Sequence, residues 1–148
     1  MSQPTLRRVG RDDLPLLIEL ARAFRAEDGH PLRPEGERAL AEVCAGEPLA
    51  RGYLIEVEGR TVGYTVLGLG FGIEFGGRDV FVDDLYIVPE ARGRGLGKAV
   101  MTLLETEARG LGAKAMHLVV DPENAPARAV YSRAGFEGSH WLLMSRRL

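Results

Sequence analysis

The chain has 148 residues, of which 45% are hydrophobic and 27% charged, with a formal net charge of −2 and a pI of about 5.9. That size and mixture fit one globular domain over residues 1–148, and the balance of charge excludes a global positive field for nucleic acid or an anionic membrane. Cys44 stands alone, excluding an internal disulfide framework and a cysteine-cluster metal site.

Met1 to Gly10 is polar and basic, and no run of about 18 apolar residues follows anywhere, so the expectation is a soluble cytoplasmic protein. Asp12 and Asp13 then precede Leu14, Leu17, Ile18, Ala21 and Phe24, the apolar stripe of a first helix with Pro15 in its opening turn. Gly29 to Pro34 breaks the pattern, and Glu35 to Cys44 reads as a second helix with Leu40 and Val43 inward. From Tyr53 the period becomes that of strands: Tyr53 to Val57, a turn at Glu58-Gly59, Thr61 to Leu69, a turn at Gly76-Gly77, and Val80 to Val88. Leu96, Val100, Leu103 and Leu104 recur at helical spacing, with Gly110 or Gly112 as the stop. Ala115 to Val120 reads as a buried strand, Pro126 to Arg133 as a short helix, and Ser139 to Arg146 as a last strand centred on Trp141 to Met144.

Between strand and helix lies Pro89-Glu90-Ala91-Arg92-Gly93-Arg94-Gly95-Leu96-Gly97-Lys98. Backbone amides at a helix N-terminus, kept open by glycines and flanked by cations, suit phosphate groups. Two phosphate motifs fail here. A P-loop needs glycine five residues before the Gly97-Lys98 pair, where Arg92 stands, and a hydroxyl at Ala99; a dinucleotide fingerprint from Gly93 needs glycine at Lys98.

The pattern that does fit is Arg/Gln-x-x-Gly-x-Gly/Ala, met by Arg92, Gly95 and Gly97. It resembles the pyrophosphate-binding motif of the GNAT superfamily, the acyl-CoA-dependent N-acyltransferases, and Asn124, Ala127, Tyr131 and Gly135-Phe136 resemble that family's downstream motif. The order of elements matches over nearly the whole chain. The resemblance implies an α/β GNAT fold: a mixed sheet of six to seven strands, antiparallel at its N-terminal side, a splayed central parallel pair, and about four flanking helices. It supplies a short first strand at Thr5 to Val9.

The resemblance also implies acetyl-CoA as co-substrate, with pyrophosphate on Arg92, Gly93, Arg94, Gly95, Leu96, Gly97 and Lys98, pantetheine along Leu85, Tyr86 and Ile87, and Asn124 on the far arm. Tyr131 is the candidate acid for the departing thiolate, because a phenol of pKa about 10 is protonated at neutral pH. A packed structural role for Tyr131 is the alternative, since Ala127, Val130 and Ala134 share its stripe. A backbone amide within Leu85 to Ile87 would polarise the thioester carbonyl.

An alkylammonium must lose its proton before attack, at a cost of about 4 kcal/mol at neutral pH, so a nearby carboxylate is useful. Asp83 and Asp84 are the candidates for base or ammonium anchor. On a regular strand Asp84 shares a face with Val82 and Tyr86 and Asp83 one with Phe81 and Leu85, so both cannot line one site unless a bulge intervenes. The pair resembles the polyamine and small-amine branch of the family. Val119 and Phe81 stand where other branches carry a glutamate base. Glu74 is a candidate acceptor contact or a solvated turn carboxylate, and His30, His117 and His140 lack metal-ligand spacing, so no metal is expected.

These readings lead to an N-acetyltransferase acting on the primary amine of a small cationic molecule by direct attack in a ternary complex. A protein or peptide N-acetyltransferase and a non-catalytic acyl-CoA sensor remain as alternatives, and a homodimer is the family's default without a sequence feature that fixes an interface.

Overall fold

The structure is a computed structural model that describes residues 2–148. Strands β1 (Thr5–Arg8), β2 (Ala50–Val57), β3 (Arg60–Gly72), β4 (Gly77–Ile87) and β5 (Ala115–His117) form one sheet in the order β1-β2-β3-β4-β5. The first four are antiparallel neighbours, and β5 joins β4 in parallel. Helices α1 (Leu14–Glu27) and α2 (Pro34–Cys44) follow β1, α3 (Leu96–Gly110) connects β4 to β5, and α4 (Ala125–Arg133) follows β5.

Each face of the sheet has its own core because strand residues alternate sides. Leu17, Leu20 and Ala21 of α1 and Leu40 and Cys44 of α2 bury against Leu54, Tyr64, Val66 and Tyr86. On the other face Val100, Met101, Leu104 and Ala108 of α3 cover Tyr53, Ile55, Leu67, Val80 and Val82. Helices α1 and α3 present the i, i+3, i+4 stripe that such burial requires, and each fully buried leucine contributes about 1.5–3 kcal/mol.

The sheet is smaller than the expected six to seven strands: five form among the described residues. The final strand is absent, and Trp141, Leu142, Leu143 and Met144 are all exposed. Strand propensity becomes a strand only beside a partner edge, and the neighbouring edge strand β5 is three residues long. That strand stops at His117 rather than Val120 because its register with β4, Asp79 with Ala115 through Phe81 with His117, ends where β4 bends away. Helix α2 begins at Pro34, one residue earlier than expected, since proline is favourable in a first helical turn.

Candidate functional site

The bend in β4 is a β-bulge. Val66 of β3 pairs with Asp84 and Leu67 with Val82, so Asp83 is the extra residue without a cross-strand partner. A bulge raises local twist and shifts the alternation of faces by one. Val80 and Val82 therefore face α3, while Asp84 and Tyr86 face α1 and α2. This corrects the regular-strand expectation that Val82 and Asp84 share a face.

Their environments differ. Asp84 is buried, at 6% exposure. Its carboxylate accepts from the Tyr64 hydroxyl at 2.7 Å and from Arg25 Nη2 of α1 at 3.0 and 3.2 Å, while its backbone carbonyl accepts from Thr65 Oγ1 at 2.8 Å. A substrate proton would have to compete with those donors. Burial and the adjacent Asp84 charge push the Tyr64 hydroxyl far up, so it stays a donor. Asp83 is exposed and makes no ion pair among the described residues. Partial desolvation, then the charge of Asp84, holds its carboxyl above the usual range. Of the two, Asp83 is the one free to take a proton.

Beyond the bulge, β4 has left β5, so the stretch Leu85 to Ile87 borders a gap in the sheet. The glycine turn lies at the end of that gap. Gly93 and Gly95 have φ of +77° and +76°, the left-handed region that glycine occupies without steric cost, and Gly95 caps α3. The first helical bond of α3 runs from the Ala99 amide to the Gly95 carbonyl, which leaves the amides of Leu96, Gly97 and Lys98 without helical partners. No neighbouring atom lies within 4 Å of the space a Cβ would fill at Gly93 or Gly95, and Arg94 and Lys98 are exposed beside them. The turn is thus an open, positively polarised cradle.

Arg92 points elsewhere. Its Nε donates to the Ile87 carbonyl at 2.8 Å and its Nη2 reaches both carboxylate oxygens of Glu27 on α1 at 2.9 and 2.6 Å. The side chain straps the end of β4 to α1 instead of projecting into the cradle. Asn124 caps α4, its Oδ1 accepting from the Ala127 amide at 3.2 Å. Tyr131 lies on α4, half-buried against the α3-side core that also receives Leu85 and Ile87, with the Phe136 ring edge-on at 6.1 Å. Burial raises its pKa, so the phenol is protonated across the neutral range.

Other candidates fall outside this constellation. Glu74 is exposed in the β3–β4 turn, and the strand from Gly77 to Asp83 spans about 20 Å. His117 is held by Asp79 at 3.2 Å and flanked by Phe75, and Val119 is exposed. Among the described residues no cluster of His, Cys, Asp and Glu could hold a metal ion, and no helix is long and apolar enough to cross a membrane. A cavity of about 510 Å³ opens at the opposite end of the sheet, between Leu49, Arg51, Phe71 and Leu111, and contains none of the candidate residues.

The sequence model of the acetyltransferase (GNAT) family matches residues 16–136, spanning α1 through the Gly135-Phe136 ending of α4. The chain belongs to the GNAT family. A mycothiol acetyltransferase of Saccharomonospora viridis is 36% identical over 137 residues, covering 86% of this chain; the chain spans 43% of that relative's length. An uncharacterised N-acetyltransferase of Methanocaldococcus jannaschii is 28% identical over 151 residues, with 97% of this chain and 67% of the relative covered. Among solved structures, an integron cassette protein from the Cole Harbour Salt Marsh metagenome superposes with a TM-score of 0.82 at 36% identity, covering 97% of this chain and 90% of that one. An aminoglycoside N-acetyltransferase in complex with CoA shares the fold, with a TM-score of 0.80 at 17% identity over 99% of this chain and 96% of its own.

Sequence reasoning missed the groups that hold Asp84 of this acidic pair, namely Arg25, Tyr64 and Thr65. One signal was present. Arg25 follows Ala21 by four positions on the inward stripe of α1, and a cation placed there asks for a buried counter-charge.

Proposed function

We propose that the chain transfers an acetyl group from acetyl-CoA to the primary amine of a small cationic molecule, by direct attack within a ternary complex. The observation that supports this reading is the β4 bulge: it leaves Asp83 without a cross-strand partner, exposed and outside any ion pair among the described residues, on the strand that runs into the open amide cradle of α3. Relatives named as acetyltransferases support the acetyl donor, and the mycothiol relative supports a small-molecule acceptor.

Acetyl-CoA supplies an activated acetyl group, and the chain's residues do the rest. The free amides of Leu96, Gly97 and Lys98, with Arg94 and the Lys98 side chain, hold the pyrophosphate; Gly93 and Gly95 let it approach the backbone. Leu85, Tyr86 and Ile87 guide the pantetheine, and one of their amides polarises the thioester carbonyl. Asp83 takes a proton from the ammonium, the freed nitrogen bonds to the acetyl carbon, the carbon–sulfur bond breaks as Tyr131 protonates the departing sulfur, and the nitrogen's second proton returns to the Tyr131 phenolate, leaving the neutral amide. Arg92 serves as a strap, Asn124 orients α4 through its cap, and Asp84 anchors the bulge.

An acetyl-transfer assay over polyamines, amino acids, aminoglycosides and N-terminal peptides tests the reading, with turnover expected on small amines. Turnover on peptides alone would overturn the acceptor class. Tight acetyl-CoA binding without transfer to any amine would favour a sensor.

A further inference from the structure

The acidic pair carries less free charge than its sequence suggests. Arg25 neutralises Asp84 through contacts at 3.0 and 3.2 Å, and the next carboxylate along α1, Glu27, is neutralised by Arg92 at 2.6 Å. Two ion pairs cancel, and Asp83, beside Asp84 in the chain, has no ion pair among the described residues. Asp28 at the end of α1 and Glu90 after β4 are solvent-exposed, where screening by water and salt weakens their reach. The Arg25 side chain keeps 31% of its surface exposed and lies near enough to act on the charge of Asp83. A cation at that rim repels a second cation and attracts an anion.

Building on the amine-acetylation reading, we propose that Arg25 determines acceptor charge: the site takes an amine that presents a single ammonium and discriminates against one with a second cation close by. The first ammonium meets Asp83. A second finds no free counter-charge, because Asp84 is occupied, and it meets the guanidinium instead. Specificity of this kind needs a repulsive element as well as an attractive one, and Arg25 supplies it.

The test compares kcat/KM for n-butylamine, 1,4-diaminobutane and 4-aminobutyrate, equal in chain length and different in charge, with folding followed by thermal unfolding. The parent enzyme should favour n-butylamine over the diamine. Arg25→Gln frees the charge of Asp84 and should raise the diamine-to-monoamine ratio by about tenfold, the size of one close charge contact. Asp84→Asn leaves Arg25 without its partner and should shift selectivity the other way, raising the 4-aminobutyrate-to-butylamine ratio by a similar factor. The double variant, which removes the repulsive cation together with its partner, should lose the parental discrimination against the diamine without reaching the full Arg25→Gln preference, and should show no gain for 4-aminobutyrate.

Parental preference for the diamine, or ratios unmoved in whichever single variant folds, would overturn the assignment. A double variant that discriminates against the diamine as strongly as the parent would do the same. The underlying reading fails separately: it falls if the parent turns over no amine, or if Asp83→Asn turns over butylamine at the parental rate.

Discussion

Asp83 and Asp84 are adjacent in sequence, yet replacing each with asparagine should move stability in opposite directions. Asp84→Asn removes the charge that Arg25 and Tyr64 address at 2.7–3.2 Å in a site with 6% residue exposure. Breaking a buried pair costs about 3–5 kcal/mol and a hydrogen bond to a charged group about 1.5–3. The replacement amide still accepts one bond and Arg25 is partly solvated, so about 2–3 kcal/mol is expected, a fall of roughly 5–12 °C in Tm.

Asp83 behaves oppositely because its carboxyl is raised above the ordinary 3.8 by desolvation and by Asp84. Between the ordinary and the raised value the folded chain holds more protons than the unfolded chain. Stability therefore falls as pH rises through that window, and the penalty is fully present at neutral pH. Asp83→Asn removes it, so Tm should rise at neutral pH and match the parent at about pH 3, where both forms are protonated. Activity reverses the order. Loss of the proposed proton acceptor should lower kcat about a hundred- to ten-thousand-fold, whereas Asp84→Asn should keep kcat within about tenfold below its lowered Tm. Thiol release from acetyl-CoA and calorimetric unfolding measure both quantities. An Asp83→Asn enzyme that is less stable than the parent at neutral pH, or nearly as fast, would refute the assignment.

Tyr131→Phe should lower kcat about a hundredfold with acetyl-CoA KM little changed, read from thiol release; an unchanged kcat would leave Tyr131 as packing. Gly95→Ala places a Cβ in open space but at φ +76°, so it should cost about 1–2 kcal/mol in strain and weaken acetyl-CoA binding by calorimetry. Gly63→Ala should fail differently, because its Cβ would lie 2.0 Å from the Tyr86 carbonyl oxygen and push β4 out of place; poor folding is expected by circular dichroism. Lys98→Ala should weaken acetyl-CoA binding and flatten its dependence on salt, whereas Arg92→Ala should lower Tm through loss of the Glu27 strap.

Legibility in the sequence followed the range of the physics involved. The glycine turn is local: φ at Gly93 and Gly95 and the helix start after them are decided within a few residues, so the cradle could be read from spacing. The helices α1, α3 and α4 were legible for the same reason. The final strand at Trp141 to Met144 was not, because a strand requires a partner edge elsewhere in the chain and β-branched or aromatic composition does not name one. The orientation of Arg92 was hidden too, since its competing partners, Glu27 and the Ile87 carbonyl, are distant in sequence or belong to the backbone.

The bulge itself can be argued from charge. Were β4 regular, Val80, Val82, Asp84 and Tyr86 would point to one side, and the alternation that buries Val80 and Val82 would carry Asp84 into the core under α3. The inward positions of α3 are Leu96, Val100, Met101, Leu104 and Ala108, which offer a carboxylate no donor. Burying an unpaired charge there would cost several kcal/mol, far more than the ladder bond given up to a bulge. The counter-charge lies on the other face, where Arg25 interrupts the apolar stripe of α1 and Tyr64 stands on β3. Inserting Asp83 turns Asp84 toward those donors while Val82 stays with α3. The same step frees the Asp83 carboxylate and carries β4 away from β5. A single extra residue thus couples where the acid sits to where the sheet opens, and removing Asp83 from the chain should abolish folding as well as catalysis.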